Sequence, residues 1–374
     1  MSTSTSHQSP RDDQPRPIVA ITGLNGYIAT HVAIKFLHEG WDIKGSVRSS
    51  KSAGQILGDE KHVLAPYVKA GRVGVVEVPD LGGDLGELLE DVQAVAHIAA
   101  PLPIKSNPTW EEFKTPTIAG TLNLLEHANK SKSIKSITVM SSFGAMMNLA
   151  PVDQQWNKVY NEHDWNPYDE DLCSSIDPAS NEMAPHIWYM ASKKYLEFAV
   201  NHWVEENKPA WPVAVFCPPM VFGAALNSST PDDLNNFVAA SGHITHLIKG
   251  KNAPIPPEYS LVMVDPRDVA TAFFNAVERK KAGRYALAGH SYTYRRFVDT
   301  FRRLRPDLEE YFAAGDPAAA ELPPDGPHGE KAWTIDASKS IKELGLQYTP
   351  FEKTAADILD HFEKIGVFDI PPGA

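Results

Sequence analysis

The run Thr22-Gly23-Leu24-Asn25-Gly26-Tyr27-Ile28-Ala29 constrains this chain more than any other stretch. Before it stands Ile18-Val19-Ala20-Ile21, a continuous apolar run that reads as a strand buried on both faces. After it comes a helical pattern over residues 28–37, closed by Gly40. Glycine at 23 permits a tight strand-to-helix turn, and glycine at 26 leaves room for a diphosphate against the backbone. The small Ala29 lets helix and strand approach closely. The helix N-terminus then offers free N–H groups to an anion. The pattern predicts a dinucleotide site contacted by Thr22, Gly23, Asn25, Gly26, Tyr27 and Ile28.

Further strands read at 42–47, 74–78, 94–98, 136–140 and 213–217, with a helix over 117–128. Strands alternating with helices require crossover connections and a parallel sheet. The expected fold class is α/β, a doubly wound parallel sheet (Rossmann) with a smaller C-terminal substrate-binding domain. At 374 residues the chain exceeds what one core usually serves. Residues 18–223 and 262–290 are assigned to the nucleotide domain, and 224–261 with 291–374 to a substrate-binding cap. Residues 1–17, MSTSTSHQSPRDDQPRP, read as a disordered tail, polar and without apolar periodicity. They lack the apolar stretch of a secretory signal, and Asp12-Asp13 speaks against a mitochondrial transit peptide.

Two segments each leave two readings. Residues 149–185 are polar and acidic, with Asp164, Asp169, Glu170 and Asp171 close together. A solvated loop is favoured there over a lid on a pocket, although Trp156, Trp165 and Tyr168 give it something to pack with. Arg295, Arg296, Arg302, Arg303 and Arg305 read either as a basic patch or as the wet face of a helix. Phe297, Val298, Phe301 and Leu304 recur at helical spacing beneath them and favour the second.

Composition excludes several function classes. With 47 acidic against 35 basic residues, net −12, neither nucleic acid nor an anionic membrane is an expected partner. The two cysteines, Cys173 and Cys217, are too few for a disulfide framework and fit a reducing, cytoplasmic location. No cluster has metal-ligand spacing, so no metal is expected. No apolar run is long enough to span a bilayer.

The second strand selects the dinucleotide. NAD sites place an acid near its end for the ribose 2′-hydroxyl. Here the region reads Gly45-Ser46-Val47-Arg48-Ser49-Ser50-Lys51. An acid would repel a 2′-phosphate, whereas the Arg48 fork, assisted by Lys51, grips one. The expected cofactor is NADPH/NADP+.

Tyr189 and Lys193, in Tyr189-Met190-Ala191-Ser192-Lys193, share a helix face. The pair gains meaning from Ser141 and Ser142, which sit where the fifth strand ends, the side on which doubly wound folds bind ligands. Tyr189 is expected to protonate a carbonyl oxygen as hydride reaches the carbon, and Ser142 to polarise that oxygen. A tyrosine acting near neutrality needs a shift of about 3 units, roughly 4 kcal/mol. An ammonium about 4 Å away supplies that at an effective dielectric of about 20. Lys193 is expected to do so and to hold ribose hydroxyls, which places Tyr189 and Lys193 in the cofactor set as well.

With these motifs the chain resembles the extended short-chain dehydrogenase/reductases over nearly everything after residue 17. The resemblance is carried by TGLNGYIA at 22–29, Asp80-Leu81, HIAAP at 97–101 and GTLNLL at 120–125. It continues through MSSFG at 140–144, YMASK at 189–193, CPPMVFG at 217–223 and VDPRDVA at 264–270. Within the family the chain is similar to NADPH-dependent aldehyde and ketone reductases near dihydroflavonol 4-reductase and cinnamoyl-CoA reductase. The stretch LGLQYTPFEKTAADI at 344–358 is similar to that branch too. The resemblance implies that Asp80 and Leu81 contact adenine and that Ala99, Ala100 and Pro101 line the cofactor. It puts Pro218 at the nicotinamide end, with Val221 in the same cofactor set, and makes Asn123 the candidate for a proton-relaying helix asparagine. Cys217 departs from the family's usual asparagine, and the span from Ser142 to Tyr189 is long. Cys217 is expected to be a small buried residue rather than a nucleophile.

Met146, Met147, His186, Trp188, Met220 and Phe222 are expected to form an apolar, partly aromatic substrate pocket. The expected enzyme is an NADPH-dependent reductase of small apolar or aromatic aldehydes and ketones, as a monomer or homodimer. A hydroxysteroid dehydrogenase or sugar-nucleotide epimerase on the same fold is the alternative, although Arg48 speaks against the retained NAD of an epimerase. A non-catalytic NADPH-binding regulator is the alternative of another class.

Overall fold

The computed structural model describes residues 15–100, 108–236, 244–255, 262–313 and 332–372. Pro101, Leu261 and most of the tail assigned to 1–17 lie outside the described residues. The main strands are β1 (Ile18–Ile21), β2 (Asp42–Val47), β3 (Val73–Glu77), β4 (Ala94–His97) and β5 (Ser136–Met140). They are followed by β6 (Val159–Tyr160), β7 (Val213–Cys217), β8 (Met220–Val221), β9 (Val262–Val264) and β10 (Gly283–Ala286). Seven of them form one sheet in the order β10-β7-β5-β4-β1-β2-β3, and every pair is parallel. The chain winds outward from β1 to β3, returns to β4 and winds outward the other way. The topological switch point is therefore the crevice beyond the ends of β1 and β4, where such folds take ligands.

Both faces of the sheet are covered, so β4, β5 and β7 are buried throughout. Helices Tyr27–His38 and Pro266–Glu278 cover one face through Val32, Phe36, Val269 and Phe273. Helices Trp110–Lys130 and Ala184–Asn207 cover the other through Leu124, Leu125, Leu196 and Val200. Helix Trp110–Lys130 begins well before the expected start at 117. A capping box at Thr109 and Glu112 starts it, and it runs through Pro116.

A second apolar cluster joins Phe222, Leu247, Tyr292, Phe297, Phe301, Phe351 and Phe362. Helix Tyr294–Leu304 lays Phe297 and Phe301 into it, and the arginines opposite are engaged in surface ion pairs. These include Arg295–Asp299 at 2.8 Å, Arg302–Glu309 at 2.9 Å and Arg305–Glu363 at 3.0 Å. Among the described residues no helix is long and apolar enough to cross a membrane.

The segment 149–185 departs from the favoured reading of a solvated loop. It contains β6, which pairs with Thr334–Ile335, and a helix at Glu170–Ser175. Tyr160, Asn166, Tyr168 and Cys173 are buried. Lys194 donates to the Asn166 and Tyr168 carbonyls at 3.1 and 2.5 Å, and Trp188 Nε1 to the Cys173 carbonyl at 2.9 Å. Aromatic packing and buried donors make the segment a fixed wall against helix Ala184–Asn207.

Candidate active site

Gly23 adopts φ +69°, and a Cβ there would come 3.1 Å from Ala99 Cβ, so only glycine brings the turn this close to the end of β4. Thr22 locks the same junction. Its Oγ1 accepts from the Ile98 and Ala99 N–H groups, both at 2.9 Å, so its own hydrogen goes to His97 Nδ1 at 3.0 Å. Thr121 Oγ1 donates to the Thr117 carbonyl and accepts from His97 Nε2 at 2.9 Å. The ring is thus neutral, and burial pulls its pKa down to about 3.

The turn opens helix Tyr27–His38, whose first turn carries no acid and whose N-cap, Gly26, makes no side-chain cap. Its first-turn N–H groups open at the switch point, and Arg48 and Lys51 are exposed just beyond β2. This donor set fits a diphosphate and a further phosphate on the ribose. Asp80 is exposed beyond β3, Leu81 packs against helix Trp110–Lys130 at Gly120, and Ala100 follows Ala99 at the mouth of the crevice. Asn123 belongs to this end too. Its amide donates to the Leu81 and Gly83 carbonyls at 2.8 and 2.7 Å, which holds the loop after β3 and leaves no side-chain N–H for a proton relay.

Ser142 caps a short turn beyond β5, and its Oγ accepts from Gly144 N–H at 3.0 Å. Its side chain opposes the effect of burial on the Tyr189 phenol. Pro218, after β7, ties in through its carbonyl, which accepts from Phe143 N–H at 2.8 Å. Val221 is buried on β8. Lys193 is buried one helical turn beyond Tyr189, with Nζ 5.8 Å from the Tyr189 ring centroid and 3.4 Å from the Met140 carbonyl.

The electrostatics differ from the expected lowering of the tyrosine pKa. Burial pushes the Tyr189 phenol above its ordinary value, opposed by the neighbouring Ser142 hydroxyl. Burial also pulls Lys193 down to about 8, opposed by the Glu197 carboxylate. Desolvation disfavours phenolate and ammonium alike, and it is the largest cause of both shifts. Cys217 is fully buried, and burial raises its thiol far above the ordinary value, which suits an inert residue.

Sequence reasoning missed Asn166. It is buried, and its Nδ2 donates to the Gly144 and Met190 carbonyls, both at 2.8 Å, while its N–H donates to the Ala145 carbonyl at 2.9 Å. One side chain thus staples the Ser142 turn to the Tyr189 helix. Asn166→Leu removes both side-chain donors, each net hydrogen bond being worth about 1 kcal/mol. We expect a lower urea midpoint together with a kcat loss of tenfold or more, because small misplacements at a reacting centre are costly. An unchanged kcat in the folded variant would remove Asn166 from the site.

The expected pocket residues separate. Met146, Met147 and Trp188 lie in one apolar cluster with Phe143 and Trp333, while Phe222 is fully buried in the other. Trp188 and Phe222 are thus core residues rather than neighbours across a pocket. Met220 is partly exposed, and His186 is exposed one turn before Tyr189. Among the described residues no group of three or more His, Cys, Asp or Glu could hold a metal ion.

A wholly parallel sheet with a glycine turn at its switch point defines a doubly wound nucleotide-binding protein. Residues 74–270 match the family model described as male sterility protein. The chain is 31% identical over 348 residues to an uncharacterised oxidoreductase of Schizosaccharomyces pombe, covering 91% of this chain and 95% of that protein. Aldehyde reductase 2 of Sporidiobolus salmonicolor is 27% identical over 334 residues, covering 88% of this chain and 90% of that protein. Among solved structures, yeast methylglyoxal/isovaleraldehyde reductase Gre2 complexed with NADPH matches with a TM-score of 0.76 at 23% identity, covering 94% of this chain and 99% of that one. This chain belongs to the extended short-chain dehydrogenase/reductase family.

Proposed function

We propose that this chain is an NADPH-dependent reductase that converts aldehydes or ketones to alcohols. The observation that carries the reading is Tyr189 beside buried Lys193, whose Nζ lies 5.8 Å from the tyrosine ring centroid, at the strand ends next to the glycine turn and with Ser142 just beyond β5. The names of its relatives, an aldehyde reductase and a methylglyoxal reductase among them, support the same chemistry. Bound NADPH supplies the hydride: carbonyl, NADPH and one proton give alcohol and NADP+.

Tyr189 holds the proton that the carbonyl oxygen receives. A phenol pushed above its ordinary value stays protonated at neutral pH, which suits an acid in the reductive direction. Ser142 donates toward the same oxygen and stabilises the charge that develops there. Lys193 contributes a buried cation. Arg48 and Lys51 hold the 2′-phosphate by charge and by the guanidinium fork. Met147, Met220 and His186 are the residues we assign to the substrate side, and their character favours a small apolar carbonyl compound.

NADPH absorbance with a panel of aldehydes and ketones tests the reading. We expect kcat/KM to favour NADPH over NADH by roughly 10²-fold, the worth of about 3 kcal/mol of charge-assisted hydrogen bonding. Arg48→Glu should erase most of that preference. Equal kcat/KM with the two cofactors would sink the 2′-phosphate assignment. NADPH binding without turnover of any carbonyl would favour a regulator instead.

A further inference from the structure

Behind the tyrosine and lysine lies a buried charge that the reaction as described does not use. Glu197 follows Lys193 by one turn on the same helix and is only 1% exposed. Its carboxylate accepts a short hydrogen bond from Ser141 Oγ and a contact from Cys217 Sγ at 3.3 Å. Arg284, on β10, donates to it from Nε at 2.6 Å. The Arg284 guanidinium lies 3.6 Å from the Trp165 ring centroid and donates to the Glu162 and Asp164 carbonyls at 3.0 and 2.5 Å. One carboxylate therefore joins the residue before Ser142, the end of β7, the edge strand and the wall segment.

We propose that Glu197 is a positioning residue for the reduction. Its fixed, buried carboxylate, one helical turn from Lys193, keeps the Lys193 cation charged and seated against the strand ends. The inference rests on the reading of Tyr189 and Lys193 given above. A buried ammonium without a counter-charge sheds its proton rather than bear full desolvation. Four titratable groups surround the Lys193 site. On its own helix are Tyr189 and Glu197, on β4 the neutral His97, and on β7 the neutral thiol of Cys217. Arg284 reaches it from β10 only through Glu197. Of these groups Glu197 alone brings negative charge at neutral pH. Arg284 fixes the carboxylate in place, and Trp165 with two carbonyls fixes Arg284.

The test is the pH profile of kcat/KM for an aldehyde at saturating NADPH. The wild type should lose activity on the basic side as Lys193 deprotonates, near pH 8. Glu197→Gln keeps the shape and removes the charge. We expect its basic limb to move down by about one pH unit, a loss of about tenfold above the limb with little change at pH 6. Glu197→Asp should restore most of the wild-type limb. Because Glu197→Gln leaves Arg284 buried and unpaired, the double variant Glu197→Gln/Arg284→Met is measured beside it, since removing both charges is better tolerated than removing one. The same downward shift is expected there. A basic limb at its wild-type position in either folded variant would overturn the proposal. A double variant that does not fold would assign the pair to the scaffold and overturn it as well. Tyr189→Phe separates the two readings: if that variant turns over at the wild-type rate, the Tyr189 chemistry fails, whereas an unmoved limb in an active Glu197→Gln enzyme defeats only the present inference.

Discussion

Tyr189→Phe lowers kcat by about 10²–10⁴-fold, the usual worth of a positioned general acid, and leaves the NADPH Kd within a few-fold of the wild type. The substitution keeps the ring and its place beside Lys193 and removes one oxygen. Ser142 still accepts from Gly144 N–H at 3.0 Å, so its turn keeps its shape. The folding cost is at most about 1 kcal/mol, the worth of one net hydrogen bond. NADPH absorbance gives kcat, and quenching of protein fluorescence gives the Kd. Turnover at the wild-type rate would show that the proton comes from elsewhere. A large rise in Kd with little change in kcat would make Tyr189 a ribose contact rather than an acid.

The residues whose type is dictated by nearby backbone were legible in the sequence. Gly23 adopts φ +69° against Ala99, and the turn it permits can be read from eight consecutive residues. Arg48 was legible for a similar reason, because its place at the end of β2 follows from strand counting alone. Tyr189 and Lys193 share a helix face, which their spacing gives directly.

What the sequence hid depends on distant partners or on burial. Asn166 works by bridging carbonyls 22 and 24 positions away. Glu197 works through Ser141 and Arg284, 56 and 87 positions away. A signal for Glu197 did exist: an acid on the helix stripe that also carries Lys193, Leu196 and Val200. A single acid on an apolar stripe does not, however, reveal its partner. The Tyr189 pKa lies above its ordinary value instead of below it because desolvation, which no motif reports, is its largest cause. Trp188 and Phe222 flank the motifs, yet they fall into separate apolar clusters, since closeness to a motif does not say which way a side chain turns.

The same burial makes the fold sensitive to mild acid. His31 and His361 are held neutral with pKa values near 4, and His97 near 3, each mainly by desolvation. His31 Nε2 bonds the Ala224 carbonyl at 2.8 Å, which ties the first helix to the chain leaving β8 and opposes the effect of burial without overcoming it. An unfolded histidine titrates near 6.5. Below that pH the unfolded chain binds protons that the folded chain refuses. Stability therefore falls as pH drops from about 6.5 toward 4, and it is fully present above 6.5. At pH 5 each of the three costs about 2 kcal/mol, about 6 kcal/mol together. Asp268 acts in the other direction. Burial raises its carboxyl to about 6, so its protonation in the folded state returns about 1 kcal/mol over the same interval. The net loss of about 5 kcal/mol is comparable with the whole stability of many domains. Urea midpoints at pH 7 and pH 5 should differ by more than 1 M, taking a slope of about 3 kcal/mol per molar. His31→Gln retains a donor for the Ala224 carbonyl and cannot titrate, so it should remove about a third of the histidine term. Equal midpoints at the two pH values would mean that these imidazoles take up protons in the folded state, against the burial that holds them neutral.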